Sequence, residues 1–351
     1  MTEGLVKVID GHNDTVGAIY GGRDFFERGS EGHIDLPRAR EGGLAGGFFA
    51  IMAGQEPGSR RAPEPPRSEF YDPDDPPPLA PPVSIGYAQP YVISRLATLR
   101  RVARMSEGAV RIVLGVEDLR ECLATDSLAM ILHFEDATPI DPGFNALEVF
   151  HAAGVRSLGL CWSRPNIFAT GVPFRFPSSP DTGPGLSDLG KELVRVCNEM
   201  RIMVDLSHLN EKGFWDVAGL SRAPLVASHS NAHAVCAFSR NLTDKQLDAV
   251  RESGGMVGVN FGAMFLREDG KPEQDTSLDI VVRHFVHLVE RMGIDHVGFG
   301  SDFDGTRVIS SIGDATGVAR VIEALRAHGF SEPELQKLGH ENWVRVLEKT
   351  W

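Results

Sequence analysis

The sequence has few residues of several kinds, and each scarcity argues against a class of protein. Only four of the 351 residues are cysteines, and no two of them form the C-x-x-C pair of a zinc ribbon or redox motif. We interpret them as buried thiols in a reducing compartment. The 35 Lys and Arg residues are outnumbered by 48 Asp and Glu, which gives a net charge of −13. Because no basic run is present either, we expect no nucleic-acid partner and no binding to anionic lipid.

Long apolar segments are also missing from the sequence. No apolar run approaches the ~20 residues that are needed to span a bilayer. The first residues lead directly into a strand-like segment without the parts of a signal peptide, and residues 347–351 do not form a hydrophobic anchor signal. With 42% apolar and 24% charged residues, the composition is typical of a soluble globular protein. We therefore expect a cytoplasmic protein with no membrane partner.

Eight short apolar runs recur along the chain, most of them separated by segments long enough to form a helix. Such runs are typical of strands that are buried on both faces of a parallel sheet. Helix-like spacing of apolar residues at 186–200 and 280–292 alternates with them, which predicts βαβ units. The runs are residues 5–11, 45–53, 129–134, 155–161, 202–206, 224–228, 255–261 and 296–300.

Two folds can accommodate this alternation. Eight strands close a (β/α)8 TIM barrel, which typically has about 250 residues or more. A doubly wound open sheet usually binds a nucleotide through a Gly-rich turn after its first strand, but the turn here is Gly-His-Asn-Asp (11–14). We therefore predict an α/β fold, with residues 1–351 forming a single (β/α)8 TIM barrel domain.

A proline-rich segment, residues 55–90, interrupts the alternation of strand-like and helix-like segments after the second run. It contains 11 of the 22 prolines, so we expect neither helix nor interior strand in it. It follows a strand on the side of the barrel where loops carry function. A surface insertion and a lid or partner contact are both compatible with such a loop.

Histidine and carboxylate residues occur at the ends of five of the eight runs. In a barrel these ends meet at the C-terminal mouth, where active sites are built. Imidazoles and carboxylates that converge from separate strands suit zinc or a similar divalent ion. The five ends are residues 10–14, 133–136, 205–208, 228–230 and 301–304.

The candidate metal ligands are His12, Asp14, Glu135, His208 and His229. His12 and Asp14 are two residues apart on an extended segment, so their side chains point to the same side. Glu135 could bridge two metals, and the two later histidines add imidazoles from neighbouring strands. The alternative for each is a hydrogen-bonded role at a strand end.

Other polar residues near the mouth have less specific roles. His133 is expected to be a hydrogen-bonded core histidine rather than a ligand, and Asp205 either orients an imidazole or has a plain role at its strand end. The remaining histidines, including His33 and His284, are expected at the surface or at helix caps.

Three residues are candidates for catalysis and substrate binding. Asp302 ends the last run as a carboxylate that is free to accept and later donate a proton beside a metal-bound water, and Asp304 is the fallback for that role. Arg240 could hold a substrate carboxylate with two hydrogen bonds, although a surface role is the alternative.

Taken together and in this order, the motifs resemble the membrane dipeptidase (renal dipeptidase) family, peptidase family M19, of the amidohydrolase superfamily. The resemblance runs from about residue 7 to residue 347. It rests on Asp-Gly-His-Asn-Asp (10–14), His-Ile-Asp-Leu-Pro-Arg (33–38), Gly-Gly-Leu-Ala-Gly-Gly-Phe-Phe (42–49), Val-Asp-Leu-Ser-His (204–208), Ser-His-Ser (228–230), Arg-Asn-Leu-Thr-Asp (240–244) and Gly-Ser-Asp-Phe-Asp-Gly (300–305).

The resemblance implies a barrel with two zinc ions per chain that hydrolyses dipeptides of the types L-Xaa-L-Xaa and L-Xaa-D-Xaa. It assigns His12 and Asp14 to one zinc and His208 and His229 to the other. Glu135 and a hydroxide would bridge both ions. By the same resemblance, Asp302 is the catalytic acid and base, Arg240 grips the terminal carboxylate of the substrate, and the chain forms a homodimer.

One position departs from the family pattern. Trp162 stands where well-studied members have a histidine that helps to bind the substrate, and an indole donates one hydrogen bond but cannot carry the imidazolium charge. We expect Trp162 to contact the substrate and to shift its preference. A different hydrolase, acting on an N-acyl amino acid or a lactone, is therefore one alternative. A metal-loaded binding protein with 55–90 as its contact surface is another.

Overall fold

The computed structural model describes residues 5–58 and 79–351, and its central element is a sheet of parallel strands. The strands are β1 (Val8–Asn13), β2 (Leu44–Ile51), β3 (Val110–Ile112), β4 (Leu128–Phe134), β5 (Val155–Gly159), β6 (Met203–Asp205), β7 (Val226–Ala227), β8 (Met256–Val259) and β9 (Val297–Phe299).

Eight of these strands close into a barrel. β1 pairs with β2 and with β9, and β2 pairs in turn with β4 from Gly46↔Ala129 to Ile51↔Phe134. The ring continues in order from β4 to β9. Each of the eight predicted runs overlaps one barrel strand, so the (β/α)8 fold is confirmed. The short β3 was not predicted; it pairs only with the start of β4 and lies outside the ring.

Helices connect the strands, and the two predicted from apolar spacing are confirmed as α6 and α10. The helices are α1 (Thr15–Tyr20), α2 (Leu36–Glu41), α3 (Ile85–Met105), α4 (Val116–Ala124), α5 (Asn145–Ala152), α6 (Asp188–Glu199), α7 (Glu211–Leu220), α8 (Asp244–Glu252), α9 (Ala263–Leu266), α10 (Asp279–Met292), α11 (Gly317–His328), α12 (Glu332–Gln336) and α13 (Asn342–Thr350). A 3-10 turn (Ile294–His296) and a π-helical turn (Lys337–Glu341) precede β9 and α13. None of the helices within the described ranges is long and apolar enough to cross a membrane.

Polar residues just before several helices fix where the loops end. The side chain of Asn210 accepts a hydrogen bond from the backbone of Gly213 at the start of α7, and Ser187 does the same for Gly190 at α6. Thr243 begins α8 with a reciprocal capping box. Such caps satisfy backbone N–H groups that have no partner inside the helix.

The prediction for the proline-rich segment is wrong at its C-terminal end. Residues 85–90 form the first turns of α3, and Pro90 lies inside that helix. The side chain of Ser84 caps the helix by accepting a hydrogen bond from the N–H of Tyr87. Proline at the sixth helical position removes one internal hydrogen bond, while the buried apolar face of α3 supports the rest. Residues 59–78 of the segment lie outside the described residues.

The interior of the barrel is filled by side chains rather than open. Trp343 of α13 is fully buried against the ring of Phe48, at a centroid distance of 4.9 Å. Its indole Nε1 donates a hydrogen bond to the carbonyl of Phe299 on β9. The indole of the C-terminal helix therefore fills part of the barrel interior.

His284 is a correction to the surface role expected for it. It is fully buried on α10, where its Nδ1 accepts a hydrogen bond from the backbone of Ala232 and its Nε2 donates to the carbonyl of Leu266. Because Ile280, His284 and Leu288 are spaced by four residues, the imidazole lies on the apolar face of the helix. The four cysteines are all buried and unpaired, as predicted.

Candidate metal centre

Five predicted ligands lie at the C-terminal ends of four barrel strands. His12 is on β1, and Asp14 follows it as the residue that precedes α1. Glu135 follows β4 directly, His208 lies just after β6, and His229 lies just after β7. All except Asp14 are buried. The structure therefore brings together residues that are up to 217 positions apart in the sequence (229 − 12 = 217).

The ligand atoms converge on one oxygen of Glu135. Its Oε1 lies 3.1 Å from Nε2 of His208 and 3.8 Å from Nε2 of both His12 and His229. The Nε2 atoms of His208 and His229 are 3.2 Å apart. On the other side, Nε2 of His12 lies 3.3 Å from Oδ2 of Asp14.

These spacings are those of side chains that can hold metal ions. Ligand atoms about 2.0 Å from a tetrahedral zinc are separated from each other by roughly 3.3 Å. Both ring nitrogens of His12 are buried without a hydrogen-bond partner, which is costly unless something else binds them. At Gly305, an added Cβ would lie 2.1 Å from Oδ2 of Asp14. The absence of a side chain there keeps the space beside Asp14 open.

Carboxylates and imidazoles in the cluster alter each other's ionisation. Burial raises the pKa of Glu135 well above its usual value, and the carboxylates of Asp14 and Asp302 add to this rise. Burial alone would lower the pKa of His12, but these three carboxylates outweigh burial and raise that pKa to about 10. Burial lowers the pKa of His208 well below its usual value, so this imidazole is neutral, as a metal ligand must be. The surplus of carboxylate charge favours a cation.

Hydroxyl groups orient two of the imidazoles. Ser228 Oγ donates a hydrogen bond of 2.5 Å to Oδ2 of Asp205 and lies 2.8 Å from Nδ1 of His229. Because the hydroxyl proton points to the carboxylate, Nδ1 of His229 must donate, which leaves the lone pair of Nε2 for a metal. Ser163 Oγ lies 2.9 Å from Nδ1 of His208. Asp205 therefore acts on an imidazole through Ser228, one of the two roles expected for it.

His133 lies one layer deeper than the cluster. Its Nδ1 lies 2.9 Å from Oγ of Ser157, and its Nε2 is 3.6 Å from Oδ2 of Asp205 without a hydrogen bond. Burial lowers the pKa of His133 to about 3. The placement agrees with a neutral core histidine.

Asp302 lies at the edge of the cluster. Its Oδ2 accepts a hydrogen bond of 2.8 Å from the side-chain amide of Asn260, and its backbone N–H donates to the carbonyl of His12. Burial raises the pKa of Asp302 to about 6. Asn260 was not singled out from the sequence, although it is the polar residue at the end of the seventh run and so had a recognisable signal.

Three non-glycine residues of the mouth have left-handed backbone angles. The φ values are 67° at His208, 61° at Asp302 and 65° at Asp304. Such conformations cost of order 1–3 kcal/mol each and are found mostly where function requires them. The strained backbone turns these side chains toward the mouth.

Asp304 lies on the wall of the mouth, and its carboxylate is fully engaged. Oδ1 and Oδ2 accept hydrogen bonds of 3.0 and 2.5 Å from the guanidinium of Arg23. Thr15 Oγ1 and the backbone N–H of His33 donate to the same carboxylate at 2.8 Å. His33, expected at the surface or at a cap, in fact helps to join the loop before α2 to the strand end after β9.

Arg240 is only 4% exposed and lies close to the cluster. Its Nη1 donates to Ser230 Oγ at 2.9 Å and its Nη2 to the carbonyl of His229 at 3.0 Å. Burial lowers the pKa of Arg240 to about 10, although the carboxylates of Asp302 and Glu135 oppose this change. Its Nε has no partner among the described residues. The surface alternative for Arg240 is therefore wrong.

A cavity of about 1100 Å³ opens above the cluster, and Asp14, Glu135, His208 and Asp302 all line it. Trp162 lies on its wall, with ring centroids 5.7 Å from both Phe174 and His208. Met264 and Phe265 continue this apolar wall. A small peptide could enter here and reach the cluster.

Comparison with known proteins identifies the family. The model of the membrane dipeptidase family, peptidase family M19, matches residues 4–350. An uncharacterised protein of Klebsiella pneumoniae is 48% identical over 257 residues, which cover 73% of this chain and 95% of that protein.

Two solved structures agree with this match. A metallo peptidase from Rhodobacter sphaeroides, liganded with a phosphinate mimic of the dipeptide L-Ala-D-Ala, is 46% identical with a TM-score of 0.91, covering 99% of this chain and 100% of that one. A dipeptidase described as a metallo peptidase of family M19 has the same identity and TM-score, with 99% of both chains covered. This chain belongs to the membrane dipeptidase family of metallo-dipeptidases, peptidase family M19.

Proposed function

We propose that this protein is a dinuclear zinc dipeptidase that acts on L-Xaa-L-Xaa and L-Xaa-D-Xaa dipeptides. The observation that carries the proposal is a cluster at the floor of a peptide-sized cavity, in which three imidazoles lie within 3.8 Å of Oε1 of Glu135 and Asp14 lies next to His12. The relative solved with a mimic of L-Ala-D-Ala supports the choice of substrate.

In this proposal His12 and Asp14 would hold one zinc, His208 and His229 would hold the other, and Glu135 would be a ligand of both. When bound, the two ions would polarise the peptide carbonyl and lower the pKa of a water molecule. The hydroxyl of Ser228, which donates to Asp205, keeps the imidazole of His229 in the orientation that presents Nε2.

Asp302 is the proposed acid and base. It accepts a proton from the attacking water and delivers it to the nitrogen of the leaving amino acid. Asn260 donates to Oδ2 of Asp302 at 2.8 Å, which holds the carboxylate in position and leaves Oδ1 for the proton. The carboxylate of Asp304 accepts hydrogen bonds from three residues. We therefore propose that it holds Arg23 in the cavity wall and affects substrate binding only through the shape of that wall.

Arg240 is proposed to bind the terminal carboxylate of the dipeptide, since its guanidinium is buried beside the cluster and carries an unpaired Nε. Trp162 is proposed to pack against the substrate as part of the apolar wall with Phe174. A homodimer and a cytoplasmic location also stay predictions, the first testable by sedimentation and the second by cell fractionation.

The experiment is a turnover assay on L-Ala-L-Ala and L-Ala-D-Ala with metal removal and a matched pair of variants. Chelation should abolish hydrolysis, and added zinc should restore it. Asp302→Asn should lower kcat by roughly 10²–10⁴-fold while zinc content stays at two per chain. Asp188→Asn, which changes an exposed carboxylate on α6, should leave kcat unchanged.

Two results would contradict the proposal. Hydrolysis that survives complete metal removal would exclude the metal-dependent chemistry. An Asp302→Asn variant with normal kcat would exclude Asp302 as the acid and base. Preferential turnover of N-acyl amino acids or lactones over dipeptides would instead favour the alternative hydrolase.

A further inference from the structure

One cation on the wall of the cavity has no role in the proposed chemistry. Arg95 of α3 lines the same cavity as the metal cluster, together with Tyr91 of that helix. Its guanidinium carbon lies 3.8 Å from the ring centroid of Tyr20 and 3.5 Å from that of Tyr91. The guanidinium is therefore held between two aromatic faces.

The stacking controls which hydrogen bonds Arg95 can make. Because both faces are covered, its N–H groups can reach a partner only in the plane of the guanidinium. Nη1 donates to Ser94 Oγ at 2.9 Å, and Nε is buried without a partner. Within residues 5–58 and 79–351, Arg95 forms no ion pair, and Nη2 donates no hydrogen bond. An arginine fixed in this way can bind a carboxylate without first losing another ion pair.

The other charges on this outer wall do not neutralise Arg95. Arg23 is already paired with Asp304. Glu31 and Arg307, both exposed residues of the lining, are opposite in sign. Among the described lining residues outside the metal cluster, the charges sum to one positive charge, which favours an anionic ligand group.

The topology places Arg95 and Arg240 on opposite sides of the mouth. Arg95 lies on the helix that follows β2, and Arg240 lies in the loop that follows β7. In the ring β1, β2, β4, β5, β6, β7, β8, β9 these two strands are four places apart. The metal cluster lies between them. If Arg240 holds the C-terminal carboxylate and the scissile carbonyl lies over the cluster, the N-terminal residue extends toward Arg95.

We propose that Arg95, held by Tyr20 and Tyr91, is a specificity subsite for an acidic side chain on the N-terminal residue of the dipeptide. This inference rests on the proposed function, which supplies the direction of the substrate. An aspartate or glutamate at that position would accept in-plane hydrogen bonds from the guanidinium, and an uncharged isostere would bind more weakly.

The test compares L-Glu-L-Ala with its uncharged isostere L-Gln-L-Ala. A charge-assisted hydrogen bond at a partly exposed site should give the zinc-loaded enzyme a Glu-to-Gln ratio in kcat/KM of about tenfold. Arg95→Gln should reduce this ratio to about one, and Arg95→Lys should keep part of it. Arg104→Gln, on the same helix but exposed and outside the cavity, should keep the full ratio.

Two further comparisons test which residue of the dipeptide contacts Arg95 and whether the ring stacked on Arg95 is needed. The ratio for L-Ala-L-Glu against L-Ala-L-Gln should not depend on Arg95. Tyr91→Phe should preserve the Glu-to-Gln ratio because the ring remains, whereas Tyr91→Ala should lower it. A wild-type ratio near one, a ratio that survives Arg95→Gln, or an Arg95 effect at the C-terminal residue would each overturn the subsite.

Failure of the proposed function gives a different result. If no dipeptide is hydrolysed by the zinc-loaded protein, the dipeptidase proposal fails. The subsite is then tested by calorimetry with the same two peptides. Tighter binding of L-Glu-L-Ala that is lost in Arg95→Gln supports it, and equal binding contradicts it.

Discussion

Buried histidines near the mouth and on helix α10 differ in how their ring nitrogens are used. His208 and His229 each have Nδ1 next to a seryl hydroxyl, while their Nε2 atoms lie 3.2 Å apart beside Glu135. His284 is equally buried, but both its nitrogens bond to backbone groups, Ala232 N–H and Leu266 C=O. Burial is common to both, so burial alone does not distinguish them.

The difference lies in what the protein leaves unsatisfied. A core histidine stabilises the fold when each nitrogen has a partner, because an unpaired buried polar atom costs free energy. The mouth histidines present one nitrogen to another imidazole and a carboxylate, an arrangement that a metal ion would satisfy. Removing a histidine should therefore affect function at the mouth and stability on α10.

Alanine substitution of one histidine from each place should separate the two roles. His229→Ala should lower kcat for L-Ala-L-Ala by at least about a thousandfold and reduce zinc content, since a ligand is lost. His284→Ala should keep two zinc ions and most of kcat, but should lower the free energy of unfolding by about 2–4 kcal/mol because Ala232 and Leu266 lose their partner. Turnover, metal content and urea unfolding measure these effects.

His328→Ala is the control for both variants, because His328 is exposed on α11 and should change none of the three readouts. Loss of activity with full zinc content in His284→Ala would contradict the assignment of a structural role to His284. So would a His229→Ala protein that loses stability but retains metal.

The stability that His284 contributes should depend on pH. Burial lowers the pKa of His284 from 6.5 to about 4, so between these values the unfolded chain binds a proton that the folded protein does not. Stability from this group is complete above pH 6.5 and is lost as the pH falls toward 4. By pH 5 the loss should be about 2 kcal/mol.

Urea unfolding of the metal-free protein at pH 7.5 and pH 5 checks this, with His284→Gln as the matched variant. The amide can replace the imidazole as a hydrogen-bonding group without titrating. The difference in unfolding free energy between wild type and variant should move in favour of the variant by about 2 kcal/mol on acidification. A constant difference would show that His284 does not titrate as inferred.

Loss of the hydroxyl that orients His229 should have a milder effect on the metal site. Ser228→Ala removes the link between Asp205 and the imidazole, which should weaken zinc binding roughly 10- to 100-fold without abolishing it. Competition with a chromogenic chelator measures this change. Ser187→Ala, which removes the cap of α6, should destabilise the protein slightly and leave zinc affinity unchanged; equal zinc affinities in the two variants would argue against the orienting role.

The barrel and the convergence at its mouth could be predicted from the sequence because their signals are local. Each barrel strand is a short run buried on both faces, and polar residues at the end of a parallel strand necessarily meet at one edge of the sheet. This placed His12, Glu135 and His229 at one site. β3 was not predicted because its three residues, which pair only with the start of β4, carry no periodic signal.

Other features depend on packing between distant segments. Pro90 was treated as excluding a helix, yet the capped and half-buried α3 tolerates it one turn from its start. The stack of Arg95 between Tyr20 and Tyr91 joins residues from two helices, and the pairing of Asp304 with Arg23 spans 281 positions. No spacing rule connects such residues, so the outer wall of the cavity could be described only from the structure.

If Glu135 bridges two metal ions at the mouth, anomalous diffraction from crystals of the zinc-loaded protein should locate both ions. Data collected on either side of the zinc absorption edge should show two peaks, one between His12, Asp14 and Glu135 and one between Glu135, His208 and His229. A single peak, or peaks that do not contact Glu135, would contradict the account.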